Sequence, residues 1–325
     1  MPKSIARVTL LYVPIFVFVL IFVLARLVPR DFKLEIYRFF FSDLLWIAVP
    51  YALLAFGFAI ARIRTRRWGA SAWALVACAI ALTTLYARFI EPERIVIRET
   101  PIKIGAPIRI ALISDLHIGL FHDEKRVQKI VDSLNQLDVD VVVVAGDWTY
   151  EPPRPLVHML APLSKLKHRA LSVPGNHDEE APGPPLAAEL RAALIIHRVE
   201  PIEGRVVDIK GVHFVGIGDR WAHKDMVPIL RDSTVPLVAL AHNPDSLDRL
   251  NETPIRTLLA GHTHGGQINL PFVTEWVLGG IAKGGYKRGL YATADKQVFV
   301  TSGLGTIGVP LRLFQPPVID VLICE

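Results

Sequence analysis

The chain has 325 residues, of which 51% are hydrophobic and 21% are charged, and its mean hydropathy is +0.37. This composition excludes a disordered chain and is unusually apolar for a fully soluble enzyme. Residues 1–100 carry 13 basic against 6 acidic residues, whereas residues 101–325 carry 23 against 25 and contain all 11 histidines. Because the basic excess is confined to the front third, we expect no nucleic-acid binding by the rest.

Three uncharged stretches near the N-terminus are long enough to cross a bilayer. They are residues 8–25, 44–61 and 68–87. At about 1.5 Å per residue each would reach roughly 27–30 Å as a helix, the thickness of a hydrocarbon core. The first stretch is too long for a signal-peptide core and is followed by Arg26 and Arg30, which favours a retained anchor. We therefore predict a transmembrane region with three spans over residues 1–90, with two spans or a half-inserted helix as the alternative.

The charges that flank these stretches leave the orientation open. Four arginines between residues 62 and 67 are typical of a cytosolic turn. Counting all flanking lysines and arginines nevertheless gives six on one side and eight on the other. Residues 91–107, which have mixed charge and three prolines, are predicted to be a linker to the next domain.

From residue 108 onward, short apolar runs alternate with helical segments. Ile108–Ser114 and Val139–Ala145 are predicted strands, nearly all apolar as expected for strands covered on both faces. Between them, Asp123–Leu137 has apolar residues at helical spacing, with Asp123 as the candidate N-cap. Further strands are predicted at residues 170–173, 212–217, 237–241, 257–260, 298–301 and 318–323. The pattern predicts an α/β domain over residues 108–325 in which helices flank β-sheets.

Candidate metal ligands directly follow five of these strands. The motifs are D-x-H at 115–117, G-D at 146–147, G-N-H-D at 175–178, H-N at 242–243 and G-H-T-H at 261–264. Alone, D-x-H is more typical of a turn residue with a surface histidine, and glycine before Asp147 or Asn176 is typical of a turn. The two histidines at 262 and 264, bounded by glycines, would be costly in a merely structural loop. All five together indicate a metal-binding rim at the carboxyl ends of the strands. Cys78 and Cys324 form no metal-binding pair, so the donors are oxygen and imidazole nitrogen, which suit manganese, iron or zinc.

This five-part signature resembles that of the calcineurin-like metallophosphoesterase superfamily, over about residues 108–325. The segments GHTHGGQINLPF, KRGLY and TSGLGTIGVPLR are similar to a membrane-associated bacterial branch with small phosphodiesterases and UDP-diacylglucosamine hydrolases. The resemblance implies a metallophosphoesterase β-sandwich flanked by helices, preceded by an N-terminal transmembrane helical region. It also implies an integral protein of the bacterial inner (cell) membrane, with the side of the catalytic domain undetermined.

The resemblance implies two divalent metal ions, manganese before iron or zinc. One ion would be held by Asp115, His117 and His264. The other would be held by Asn176, His242 and His262, with Asp147 bridging the two. Together the ions would activate a shared water and bind the phosphoryl oxygens.

His177 is by resemblance the catalytic group that faces the leaving oxygen. Asp178 either orients His177 or caps a helix. Many members of the superfamily place a histidine or arginine shortly after the bridging aspartate, where this chain has Trp148-Thr149-Tyr150. That departure leaves open what else assists the leaving group.

The combined pattern predicts a membrane-anchored dinuclear phosphoesterase. Its reaction is hydrolysis of a phosphodiester or pyrophosphate bond in a lipid-linked substrate, such as UDP-diacylglucosamine or a phospholipid. One alternative is a phosphodiesterase for soluble nucleotides whose spans are a tether, and another is a non-catalytic metal-bound membrane scaffold. The expected partners are membrane lipids and a phosphorylated amphiphilic substrate, with no nucleic acid and no protein partner.

Overall fold

The computed structural model describes residues 20, 23, 27–179, 184–230, 234–293 and 295–325. It divides into two compact units, with the boundary between Ile90 and Glu91. Apart from Leu20 and Val23, the first predicted span, residues 8–25, lies outside the described residues.

The described part of the N-terminal unit is helical. Its helices are α1 (Arg30–Arg38), α2 (Ala48–Arg64) and α3 (Trp68–Leu85). Within the described part of the chain, two helical stretches are long and apolar enough to cross a membrane, Phe32–Arg64 and Trp68–Glu93. They contain the second and third predicted spans.

Small side chains lie at the contact between α2 and α3. Ala52 and Ala55 of α2 pack with Cys78 and Ala81 of α3, whereas large apolar residues such as Leu54 are exposed. Close packing through small residues with large apolar side chains outside is the arrangement typical of helices in lipid.

The second unit contains fourteen described strands. In chain order they are β1 (Val96–Ile102), β2 (Arg109–Ile113), β3 (Ile118–Gly119), β4 (Val141–Ala145), β5 (Thr149–Tyr150), β6 (Ala170–Val173), β7 (Val199–Pro201), β8 (Val206–Ile209), β9 (Val212–Gly216), β10 (Leu237–Leu240), β11 (Thr257–Ala260), β12 (Gly289–Ala292), β13 (Gln297–Val300) and β14 (Val318–Cys324). Its helices are α4 (Glu124–Leu134), α5 (Leu156–Met159), α6 (Ala187–Ile196) and α7 (Val273–Leu278).

Two six-stranded sheets form a sandwich. The first has the order β1-β14-β2-β4-β6-β7 and the second the order β12-β13-β11-β10-β9-β8. Strands β2, β4, β6 and β7 are mutually parallel, as are β9, β10, β11 and β13. The predicted β-sandwich with flanking helices is therefore confirmed.

Side-chain alternation along the strands explains the layers. In β4, Val141 and Val143 pack in the core between the sheets, whereas Val142 and Val144 pack in the core that includes α4 and α6. Both faces of this strand are buried, which is why it is almost purely apolar. Helix α4 begins at the predicted N-cap, since the Asp123 side chain accepts a hydrogen bond from the backbone N–H of Lys125.

The structure differs from the linker predicted at residues 91–107. Val96–Ile102 forms edge strand β1, whose register with β14 runs from Val96 opposite Val318 to Ile102 opposite Cys324. Pro92 precedes the strand in a 3₁₀ turn, and Pro101 is tolerated because an edge strand has one unpaired side. Pro101 and the charged residues Arg98 and Glu99, which suggested a linker, therefore belong to a sheet edge.

Candidate metal centre

The predicted ligands all follow the carboxyl ends of parallel strands. Asp115 and His117 follow β2, Asp147 follows β4, Asn176 follows β6, His242 follows β10, and His262 and His264 follow β11. Because parallel strands end at the same edge of a sheet, both sheets deliver these side chains to one place. All seven are at most 7% exposed and lie in one cluster.

One half of the cluster contains Asp115, His117 and His264. The Nε2 atoms of His117 and His264 lie 3.0 Å apart, and His264 Nε2 lies 3.3 Å from Asp115 Oδ1. Ligand atoms of these three residues all lie within 4.8 Å of one another. Two imidazole nitrogens and a carboxylate oxygen that converge in this way could hold a metal ion.

The other half is built around His242. Its Nε2 lies 3.1 Å from Asn176 Oδ1, 3.1 Å from His262 Nδ1 and 3.2 Å from Asp147 Oδ2. The same Asp147 oxygen lies 3.6 Å from His117 Nε2 in the first half. Asp147 therefore faces both halves, the position that a bridging carboxylate needs.

Backbone carbonyls fix two of the imidazole rings. His242 Nδ1 lies 2.7 Å from the carbonyl oxygen of Ala145, and His117 Nδ1 lies 3.4 Å from that of Thr149. Since a carbonyl only accepts, each of the two rings carries a proton on Nδ1, and its Nε2 faces the cluster. Metal-binding histidines commonly have this second partner.

Burial sets the charge of most of the histidines. It lowers the pKa of His117 and of His262 to about 3, and it lowers that of His264 well below its usual value. These three rings are therefore neutral near pH 7, which is the form that binds metal.

His242 and the two carboxylates behave differently. Burial acts to lower the pKa of His242, but the charge of Asp147 and the contact with it outweigh burial and raise the pKa to about 10. Burial raises the pKa of Asp115 to about 6, and Asp115 Oδ1 has no hydrogen-bond partner among the described residues. Beside the one positive charge that His242 provides, the two buried carboxylates still leave Asp115 Oδ1 without a partner, so the residues present fit a divalent cation in place of the His242 proton.

The backbone at the cluster is strained. Five of the seven residues have positive φ, namely Asp115 (52°), His117 (48°), Asp147 (52°), His262 (72°) and His264 (51°). Such conformations cost about 1–3 kcal/mol each in non-glycine residues and concentrate at functional sites. The tight turns at the strand ends therefore aim these side chains inward at a cost in stability.

Position 175 has no room for a side chain, because Asp147 occupies the space where a Cβ would lie. A Cβ there would overlap both the carboxylate and the backbone nitrogen of Asp147. We expect Gly175→Ala to displace Asp147, to reduce activity and metal content, and to destabilise the fold by about 1–3 kcal/mol. Thermal unfolding, metal analysis and turnover would measure these effects. In the control Gly279→Ala, the added Cβ meets its neighbours at 3.6 Å, so a comparable loss there would contradict the argument.

Asp178 joins two of the ligand loops. Its carboxylate accepts hydrogen bonds from the backbone N–H groups of Gly175 (2.9 Å), Trp148 (3.2 Å) and Thr149 (3.0 Å), and from Thr149 Oγ1 (2.8 Å). These contacts tie the loop after β4 to the loop after β6. They take the place of both predicted roles, orienting His177 and capping a helix.

His177 lies beside the cluster and is only half-buried. Its backbone N–H donates to Asp147 Oδ1 at 3.0 Å, and its ring centroid lies 5.3 Å from that of His117. Tyr150 meets the His177 ring edge-on at 5.5 Å between centroids. Tyr150, the last residue of the Trp148-Thr149-Tyr150 segment that differs from the superfamily pattern, therefore lies beside the predicted catalytic histidine.

Two residues at the cluster were not predicted, Asp219 and Trp221. Asp219 is fully buried, and burial raises its pKa against the opposing charge of His242. The Trp221 ring packs edge-to-face on His262 at 4.6 Å between centroids. The sequence contains a motif that could have identified Asp219, since Gly218-Asp219 follows β9 as Gly146-Asp147 follows β4. Because β9 is parallel to β10, its carboxyl end lies at the same sheet edge as His242.

Known proteins are similar to this chain in sequence. The family model for calcineurin-like phosphoesterase matches residues 108–266. An uncharacterized metallophosphoesterase of Helicobacter pylori J99 is 32% identical, over 85% of this chain and 78% of the relative. A Danio rerio transmembrane protein with metallophosphoesterase domain is 28% identical, over 69% of this chain and 55% of its own. The UDP-2,3-diacylglucosamine pyrophosphatase LpxG of Chlamydia trachomatis is 25% identical, over 77% of this chain and 95% of the relative.

Proposed function

Because the chain belongs to the calcineurin-like phosphoesterase family of metal-dependent hydrolases, we propose that it is a membrane-anchored enzyme with two divalent metal ions. Its proposed reaction is hydrolysis of a phosphodiester or diphosphate bond in a lipid-linked substrate. The observation that carries the proposal is the convergence of seven buried residues with oxygen or nitrogen donors, among which Asp147 Oδ2 faces both His117 and His242.

The cluster suggests a division of roles. Asp115, His117 and His264 would hold one ion, Asn176, His242 and His262 the other, and Asp147 both. Bound ions would lower the pKa of a shared water and offset negative charge on the phosphoryl oxygens. We propose manganese first, and iron or zinc as alternatives, because the donors are carboxylate, amide and imidazole.

The chain's own groups position the rest of the reaction. The hydrogen bond from the backbone N–H of His177 holds Asp147 in place, and the same residue presents its half-buried imidazole beside the cluster. From there His177 would donate a proton to the departing oxygen. Asp178 keeps the loops that carry Asp147 and His177 together.

The lipid-linked substrate is supported by the N-terminal unit and by the relatives. Two stretches of this chain are long and apolar enough to span a bilayer. One relative is named a transmembrane protein, and another is named for a substrate with two acyl chains. An enzyme held at a bilayer meets amphiphilic phosphoesters at high local concentration, which favours them over soluble ones.

Chelation tests the metal requirement. The full chain, purified in detergent, should contain about two divalent ions and lose at least about 10³-fold in turnover of a chromogenic phosphodiester after chelation. Manganese, iron and zinc added back separately should restore activity to different extents, and this ranks them. Turnover that survives complete removal of metal would refute the proposal.

Substrate comparison tests the lipid part. The metal-loaded full chain would be assayed on UDP-diacylglucosamine, a phospholipid and a nucleotide phosphodiester at equal concentrations. Preferential hydrolysis of a lipid-linked compound supports the proposal. A preference for the nucleotide would instead make the spans a tether, and absence of turnover on all of them would indicate a scaffold.

A further inference from the structure

Large aromatic side chains are exposed on one loop beside the metal cluster. We call residues 268–280, which include α7, the aromatic loop. Phe272 is 88% exposed and Trp276 82% exposed, and Leu270 is partly exposed nearby in sequence. Exposed apolar residues grouped in this way mark an interaction surface more often than scattered single ones do.

The backbone holds Phe272 outward at an energetic cost. Its φ is +65°, a conformation that is a genuine outlier for a bulky residue. Thr274 braces the loop, since its Oγ1 accepts from the N–H of Leu270 and donates to the carbonyl of Ile268, both at 2.8 Å. A strained, braced and exposed aromatic indicates that exposure is built into this loop.

The aromatic loop is attached to the loop that carries His262 and His264. Thr274 packs so closely against Gly266 that a Cβ on Gly266 would overlap its methyl group. Lys287 donates through Nζ to Asn269 Oδ1 (2.7 Å) and Glu275 Oε1 (2.9 Å), and its carbonyl accepts from Thr263 Oγ1 (2.5 Å). The aromatic loop is therefore anchored to the segment that carries two of the candidate ligands, His262 and His264.

The charge of this region favours an anionic partner. Residues 268–288 contain three basic residues, Lys283, Lys287 and Arg288, and a single acidic one, Glu275. The remainder of the C-terminal domain has an acidic excess, because residues 101–325 together carry 23 basic against 25 acidic residues. Aromatic rings next to basic side chains are the combination that binds at the headgroup level of anionic bilayers.

We infer that the aromatic loop inserts Phe272 and Trp276 into the headgroup region of an anionic lipid bilayer. The chain carries its own candidate spans, so a bilayer is a partner available to this domain. The insertion places the metal cluster at the membrane surface, where the phosphate of an amphiphile lies. Its test reads no enzymatic activity, so its failure is distinguishable from failure of the proposed function.

The first test measures the depth of each position in the bilayer. In the full chain with Cys78→Ala and Cys324→Ala, single cysteines are introduced as Phe272→Cys, Trp276→Cys and, as control, Ile196→Cys. Ile196 is an exposed apolar residue on α6. Each variant carries a fluorophore and is reconstituted in phosphatidylcholine–phosphatidylglycerol vesicles that contain nitroxide-labelled lipid. We expect several-fold stronger quenching at positions 272 and 276 than at 196, weakened when phosphatidylglycerol is omitted.

The second test leaves both aromatics in place. Brominated lipids should quench the tryptophan fluorescence of the unmodified chain more than that of Trp276→Phe. Because the five other tryptophans are present in both proteins, the difference in quenching measures the contribution of Trp276. Labels at 272 and 276 that remain as accessible to aqueous iodide as the label at 196 would overturn the inference. Protection of the labels at 272 and 276 from iodide that increases with the amount of protein per vesicle would also overturn the inference. A second copy of the chain would then be the partner.

Discussion

Asp147→Asn is expected to lower kcat/KM by about 10³-fold or more and to reduce bound metal, because metal ions contribute several kcal/mol of charge stabilisation. Asparagine keeps the shape of the side chain but removes the negative charge that faces both His117 and His242. Turnover of a chromogenic phosphodiester and metal content per chain measure the two effects.

The matched control for this change is Asp138→Asn. The Asp138 side chain is fully exposed, so the same loss of charge there should alter neither metal content nor turnover. If Asp147→Asn kept both metal ions and full activity, Asp147 would not bridge the two halves of the cluster.

His177→Gln is expected to slow hydrolysis by about 10²–10⁴-fold when the leaving group is an alkoxide, because such an oxygen needs a proton as it departs. A nitrophenolate leaves without protonation, so its hydrolysis should be slowed far less. Metal content should stay unchanged, since the hydrogen bond to Asp147 comes from the backbone of residue 177 and survives the substitution. Kinetics across a leaving-group series measure the effect.

His158→Gln provides the control, since His158 is an exposed histidine on α5. It should leave every substrate in the series unaffected. Equal losses on alkoxide and nitrophenolate substrates, or loss of metal from His177→Gln, would show that His177 acts by organising the cluster and not by donating a proton.

The two predictions separate the parts of the site. Asp147→Asn should weaken binding of the ions and therefore slow hydrolysis of every substrate. His177→Gln should slow hydrolysis only of substrates whose leaving group needs a proton. If the two variants lost metal and activity in the same way on every substrate, Asp147 and His177 would have the same role. The structure argues otherwise, because Asp147 lies buried between the two halves and His177 lies half-buried at its edge.

The sequence by itself determined the local features. Apolar runs predicted strands such as β4 and β6 to within two residues, because a strand buried on both faces needs apolar side chains throughout. The residues after the strand ends, including Asp115 and His264, were identifiable because glycine-bounded turns with oxygen and imidazole donors are costly without a ligand. Long uncharged stretches likewise predicted the two candidate spans that the described residues contain.

Tertiary structure alone decided which distant segments meet. Val96 pairs with Val318, so a segment predicted to be a linker is a sheet edge, and no local periodicity encodes a partner so far along the chain. The contact of Trp221 with His262, and the exposure of Phe272, likewise depend on how the two sheets and their loops pack. Hydrophobic pattern reports whether a residue is to be buried, whereas the neighbour against which it is buried is set by long-range pairing and packing.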